Sequence, residues 1–249
     1  MRRCAFSLLI AGMLCAVVNQ SVFAQTAPRD SSSQQSALNN TLSLFYSTIG
    51  TQSPLYNGTE SYPYDPIVKG NAYYADVNAF TPGSVNYDNM VFKNVPMLYD
   101  IYGDQLVILL FNHFTKITLI KDKTSSFDFL DHHFIRIDTV TFLNNPAIKP
   151  GYYDELYYGK LQILAKYSKN IQTYTGGLTL ETYFNAEKSY FVRKNNLYYG
   201  FSGEGDLLDI LKDKKKELKK YIRENQIKYR RNPEEAMVKI ASYYDRLTN

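Results

Sequence analysis

The chain has 249 residues, 45% of them hydrophobic, a formal net charge of +4, two cysteines and no tryptophan. Both cysteines, Cys4 and Cys15, lie in an N-terminal segment with the marks of a signal peptide, so the mature chain is left with no thiol for a disulfide, a metal or catalysis. Loss of Arg2 and Arg3 with that segment lowers the net charge to +2, which gives no support to a general polyanion binder.

The segment opens with the basic pair Arg2-Arg3, continues through a mostly apolar run from Ala5 to Val18, and reaches Val22-Phe23-Ala24 with no acid on the way. That order predicts cleavage after Ala24. The run is shorter than the ~18 to 20 apolar residues of a membrane-spanning helix. Lipoprotein processing at Cys15 is disfavoured because bulky Leu14 stands where a small residue is expected. The expected location is therefore the periplasm or the outer face of a cell envelope, without integral membrane insertion.

Residues 25–40, rich in Ser, Gln, Thr and Asn, read as a disordered leader. Ala37 to Ile49 suits either a short helix or a first strand. Ser53 to Gly70, with three prolines and several tyrosines, reads as an ordered loop over a sheet.

Strand signals then follow closely. Ser84 to Tyr87 and Met90 to Lys93 flank Asp88-Asn89, and Met97 to Tyr102 and Gln105 to Phe111 flank Gly103-Asp104, two predicted hairpins. Val107 to Phe111 does not alternate and reads as a central strand covered on both faces. Thr115 to Lys121, Ser125 to Leu130 and His133 to Asp138 extend the meander. After Pro150 come Leu156 to Tyr158, Lys160 to Tyr167, Glu181 to Phe184, and a hairpin of Tyr190 to Lys194 with Leu197 to Phe201 across Asn195-Asn196. All 23 tyrosines and 12 of the 14 phenylalanines lie in the mature chain, and such residues fit pleated, half-buried surfaces. An aromatic-lined ligand site is the sharper reading of the same composition.

From Asp206 onward the pattern becomes helical. Asp206 is the expected cap of a helix carrying Leu207, Leu208, Leu211, Leu218 and Ile222. Asn232-Pro233-Glu234-Glu235 then supplies an N-cap, a proline at the first helical position and acids in the first turn of a second helix. The expected fold is α+β: a mostly antiparallel meander (sandwich or incomplete barrel) over 41–205, with a helical hairpin, 206–249, packed on it. The helical end and the polar outward positions argue against an outer-membrane barrel.

No catalytic constellation stands out. Gly-x-Ser-x-Gly is missing, and Gly203-Glu204-Gly205 lacks the glycine and lysine of a phosphate loop. His113, beside Asn112, belongs to a predicted turn. Asp131-His132-His133 is the nearest approach to a metal site, with Asp128 in reach, but adjacent strand residues point to opposite faces and no second ligand cluster accompanies them. Neither a metal nor a cofactor is implied. Carboxylates such as Asp128, Asp131, Asp154 and Glu155 are the residues a polymer hydrolase would draw on.

Between Asp206 and Arg231 ten basic residues face five acidic ones. A solvated helix face accounts for this. Lys214 and Lys215 nevertheless fall on the apolar stripe, where their stems can snorkel toward an anionic membrane surface or an acidic envelope partner. Nucleic acid is not an expected partner.

Leu55-Tyr56-Asn57-Gly58, Gly83-Ser84-Val85-Asn86-Tyr87-Asp88, Asn94-Val95-Pro96-Met97-Leu98-Tyr99-Asp100, the Lys-rich helix and the helix ending near Tyr243-Tyr244 together resemble exported β-rich proteins of Bacteroidetes-type bacteria. The resemblance spans most of the mature chain. It implies location and organisation, and it carries no activity or site residues. The expected function is a non-enzymatic envelope protein that binds an apolar or extended ligand or a protein partner; the alternative is an envelope-polymer hydrolase.

Overall fold

A computed structural model describes residues 53–248 apart from 177 and 178, together with isolated helical positions between 34 and 48. The expected signal peptide and most of the expected leader lie outside these residues. The chain divides into two units, Met1–Leu38 and Asn39–Asn249, and the architecture below is that of the second.

Twelve strands form one sheet: β1 (Thr59–Glu60), β2 (Val68–Lys69), β3 (Thr81–Tyr87), β4 (Met90–Asp100), β5 (Gln105–Leu109), β6 (Lys116–Thr118), β7 (Thr124–Phe129), β8 (His132–Ile137), β9 (Gly151–Tyr158), β10 (Gln162–Gly176), β11 (Thr179–Lys194) and β12 (Leu197–Phe201). Among the residues described without a break, α-helices α1 (Thr139–Asn144), α2 (Glu204–Ile210), α3 (Lys215–Glu224) and α4 (Pro233–Leu247) accompany them. The strand order is β1-β6-β5-β4-β3-β7-β8-β9-β10-β11-β12, antiparallel throughout, and β2 adds to β11 in parallel.

The two hairpins built on Asx pairs have a common cause. Asp88 and Asn89 (φ 53° and 62°) and Asn195 and Asn196 (φ 53° and 63°) all occupy the left-handed region that tight two-residue turns require and that these residue types tolerate. Leu130 and Asp131 (φ 51° and 63°) do the same between β7 and β8, so the strand begins at His132. In β5, consecutive Leu106, Val107 and Ile108 are all buried, as a strand covered on both faces must be.

Several expectations need correction. Met90 to Lys93 and Met97 to Tyr102 are one strand, β4, which passes through a register shift opposite Gly83 with Asn94 in the left-handed region. The turn after β4 spans Ile101 to Asp104, where Asp100 Oδ1 accepts the Tyr102 and Gly103 amides at 3.0 and 2.9 Å. Glu181 to Phe184 and Tyr190 to Lys194 likewise merge into the 16-residue β11. The first C-terminal helix starts two residues before Asp206 and breaks at Leu211–Lys214 into α2 and α3. Asp206 sits inside its first turn and reaches back to the Ser202 amide and hydroxyl at 3.0 and 2.6 Å. Asn232 caps α4 as expected, its side chain accepting the Glu235 amide.

The sheet is open along its path but strongly curled. Seven strands separate β6 from β11, about 38 Å across a flat sheet. The chain nevertheless pairs Glu60 with β6 and Val68 with β11, and eight residues reach at most about 29 Å. Consistent with this, the Lys169 amide on β10 donates to Ile101 O at the end of β4 at 3.2 Å, although four strands intervene. The segment from Ser53 to Gly70 is thus a strap joining both ends of an incomplete barrel.

Inside the curl lies an aromatic core around Tyr74, Tyr99, Phe127, Phe134 and Tyr152. Farther along the same face, Leu161, Ile163, Val192 and Phe201 are covered by apolar residues of α2, α3 and α4, among them Leu208, Leu218, Met237 and Ile240. A smaller cluster of Ile137, Ile148, Tyr153, Leu164 and Tyr198 fills the opposite face.

Candidate functional site

Where the two concave-face cores meet, a cleft of about 380 Å³ opens between the turn at Tyr74–Asp76, β8, β10, β11 and the start of α4. Strand alternation decides what enters it. Lys188 pairs with Tyr167 and Ala186 with Lys169 across β10–β11, so these four side chains share the concave face. On β8, His132 points inward with Phe134, while His133 points outward.

His132 Nδ1 lies 2.7 Å from Asp154 Oδ2, and Asp154 is almost fully buried. The hydrogen bond that His132 donates to the Asp154 carboxylate raises the His132 pKa, against an opposing effect of burial. The same Asp154 oxygen lies 3.3 Å from the Tyr167 hydroxyl, which is also 3.1 Å from Glu234 Oε1. One phenolic proton therefore sits between two carboxylates. Burial, followed by the neighbouring Tyr74, Asp154 and Glu234, pushes the Tyr167 pKa far up and keeps it a neutral donor.

Glu234 comes from the first turn of α4 and gathers three donors: Lys188 Nζ at 2.7 Å and the hydroxyls of Tyr167 and Tyr190 at 3.1 and 3.2 Å. Burial alone would raise its carboxyl; Lys188 and the two phenols outweigh that and hold it below the usual range. The Lys188 ammonium also stands 4.6 Å from the Tyr167 ring centre and 6.0 Å from that of Tyr190.

The outer lip is backbone under strain. Ala75 and Asp76 both adopt positive φ (52° and 56°), an uncommon conformation for alanine. Lys169 fixes the lip: its buried ammonium donates to Asn71 O, Tyr73 O and Asp76 Oδ1 at 2.8, 3.0 and 2.6 Å. Tyr74 forms the floor, with edge contacts to Tyr167, Phe134 and His132 at 4.8, 5.2 and 5.6 Å.

Of the carboxylates expected from sequence, only Asp154 reaches the cleft. Asp128 is on the outer face, held by Ser84 and by His133 Nδ1 at 2.5 Å. Asp131 is exposed in its turn. Glu155 follows Asp154 on the strand, so it projects from the other face, where it binds Gln162. The missed members are Tyr167, Lys188 and Glu234. Glu234 carries an ordinary first-turn signature, and only its docking beside β10 gives it a second role. His113 lies in an exposed turn, with Asn112 accepting the Phe114 and Thr115 amides. Among the described residues, no group of three or more His, Cys, Asp or Glu side chains could hold a metal ion.

A second polar cluster closes the turn after β4. Asp104 receives Lys121 and Lys166, each at 2.6 Å, and the Tyr99 hydroxyl at 2.7 Å. Burial alone would raise its carboxyl, but the two ammonium groups outweigh that and hold it below the usual range. It is a staple between β4, the turn that follows β6, and β10.

The basic residues of α2–α4 are partly committed within the chain. Lys215 pairs with Asp209, and Lys194 of β11 meets Asp213 at 2.5 Å. Lys214 and Lys215 are half-buried at the helix break, in keeping with stems that lie along the apolar stripe. No described helix is long and apolar enough to cross a membrane.

The chain matches no family model, and neither curated proteins nor solved structures show a significant likeness to it.

Proposed function

We propose that this chain is an exported cell-envelope protein that binds a ligand without transforming it, and that the cleft bounded by Tyr74, Tyr167, Ala186 and Glu234 is where the ligand sits. The carrying observation is the arrangement of the carboxylates there. Asp154 is taken by His132, Glu234 by Lys188, and a tyrosine hydroxyl occupies the space between them, where a hydrolase would place its scissile bond or its water. Paired charges around an aromatic floor orient a ligand; they leave no free base beside a free acid. Export rests on the basic, apolar and small-residue order of the first 24 residues, and the resemblance to exported proteins of Bacteroidetes-type bacteria supports the same location.

Native mass spectrometry of the mature protein, purified gently from its envelope fraction, tests this reading. The expected result is an adduct of small-molecule mass that disappears in Ala186→Trp, a substitution that fills the cleft from an exposed strand position. A bare protein mass in both forms would set the binding reading aside.

A further inference from the structure

We infer that the cleft is a seat for a primary ammonium group, and that Lys188 is a built-in competitor occupying it. This rests on the binding reading above and names its ligand class, a small primary amine on an aliphatic stem. Three features carry it.

The first is the seat itself. Two phenol rings and one carboxylate surround the Lys188 ammonium, with a 2.7 Å contact to Glu234 and ring-centre distances of 4.6 and 6.0 Å. Aromatic faces plus a carboxylate are the chemistry that recognises a cation.

The second is that the occupant can leave while the seat persists. The Lys188 side chain is 40% exposed, so its ammonium can return to water at little cost. Glu234 then keeps two phenol donors, Tyr167 and Tyr190, and the lip stays pinned by Lys169.

The third is charge. Around the cleft Asp76, Asp154, Glu187 and Glu234 stand against Lys169 and Lys188. Without the Lys188 ammonium the balance is three negative charges with His132 neutral, which disfavours anions and leaves room for one added cation. Lys188 therefore lowers the apparent affinity by the fraction of time it is seated. If it is home nine-tenths of the time, the penalty is about tenfold.

The test uses n-butylammonium, which copies the lysine stem, titrated by calorimetry and ligand-observed NMR into the mature protein. Lys188→Met should bind it roughly tenfold more tightly than the parent. Lys188→Met combined with Glu234→Gln should lose that gain. Melting curves of both variants confirm that the fold is intact, and chemical-shift changes should centre on Tyr167 and Tyr190. Equal binding by parent and Lys188→Met, or a gain that survives Glu234→Gln, overturns the inference. An envelope-derived adduct that still depends on Ala186 under those circumstances leaves the binding reading standing with a ligand of another class. Absence of both the adduct and amine binding removes the two together.

Discussion

His132 and His133 are neighbours in the chain, yet each holds a different carboxylate on a different face of β8: Asp154 at 2.7 Å inside and Asp128 at 2.5 Å outside. The two contacts look alike and differ in environment. Asp154 is 2% exposed as a side chain, and Asp128 is 59% exposed. Asp154→Asn should cost about 1–3 kcal/mol of stability by loss of a buried charged hydrogen bond, whereas Asp128→Asn should stay within about 0.5 kcal/mol. Urea denaturation of the two variants compares them directly, and equal losses would contradict this assignment.

The same contact sets a pH dependence. The folded-state pKa of His132 lies above its ordinary value because Asp154 binds the imidazolium. Its contribution to stability is therefore fully present below the unfolded value of about 6.5 and fades as pH rises through the folded one. The melting-temperature gap between the parent and His132→Gln should be wider at pH 5.5 than at pH 9. A gap independent of pH would show that the pair gains nothing from protonation.

Lys169→Met keeps the buried aliphatic stem and removes the donors to Asn71, Tyr73 and Asp76. Buried carbonyls left without a partner cost about 1–3 kcal/mol. The effect should be local as well: hydrogen exchange across residues 71–77 should accelerate while β3–β5 remain protected, because Lys169 ties the strained turn at Ala75 to β10.

Gly151 has φ +152°, and a Cβ there would run into the Asp104 carboxylate and the Lys166 ammonium. Gly151→Ala should destabilise by at least about 1 kcal/mol through backbone strain and crowding. Thermal unfolding of this variant with no loss would mean that the Asp104 staple yields easily.

Asn232→Ala removes the side-chain acceptor of the Glu235 amide. The expected loss is about 1 kcal/mol, accompanied by fraying of the first turn of α4 and a weaker grip of Glu234 on Lys188. Calorimetric unfolding and the NMR signals of Tyr167 and Tyr190 read the two effects separately.

Much of the fold is legible in the chain because short-range chemistry specifies it. Asp88-Asn89 and Asn195-Asn196 announce turns through their tolerance of positive φ, Asn232-Pro233 announces a helix start, and Val107-Ile108 announces a strand covered on both sides. The rest fails for physical reasons. The outer half of the β10–β11 hairpin is partly exposed on both faces, so residues such as Asn170, Gln172, Thr182 and Glu187 carry no alternation to read. Asn94 and Pro96 look like a break, because nothing in sequence says that Pro96 will face Pro82 in a pair needing no amide. The cleft is the least legible feature. His132 and Asp154 are 22 residues apart, Tyr167 and Glu234 are 67 apart, and they meet only through curl and docking.

The strap also orders assembly in time. Eight of the eleven strand pairs join sequence neighbours, so most of the sheet can zip up hairpin by hairpin with small loop-closure entropies. The pairing of Val68 with Thr182 joins residues farther apart in sequence than the β1–β6 and β3–β7 pairings do, and it cannot form until β11 exists. The flat meander therefore precedes the curl. The lip at Tyr74–Asp76, which the strap leads into and Lys169 secures, is among the last parts to set. The lip of the cleft should then be completed late in refolding, after the hairpins have paired.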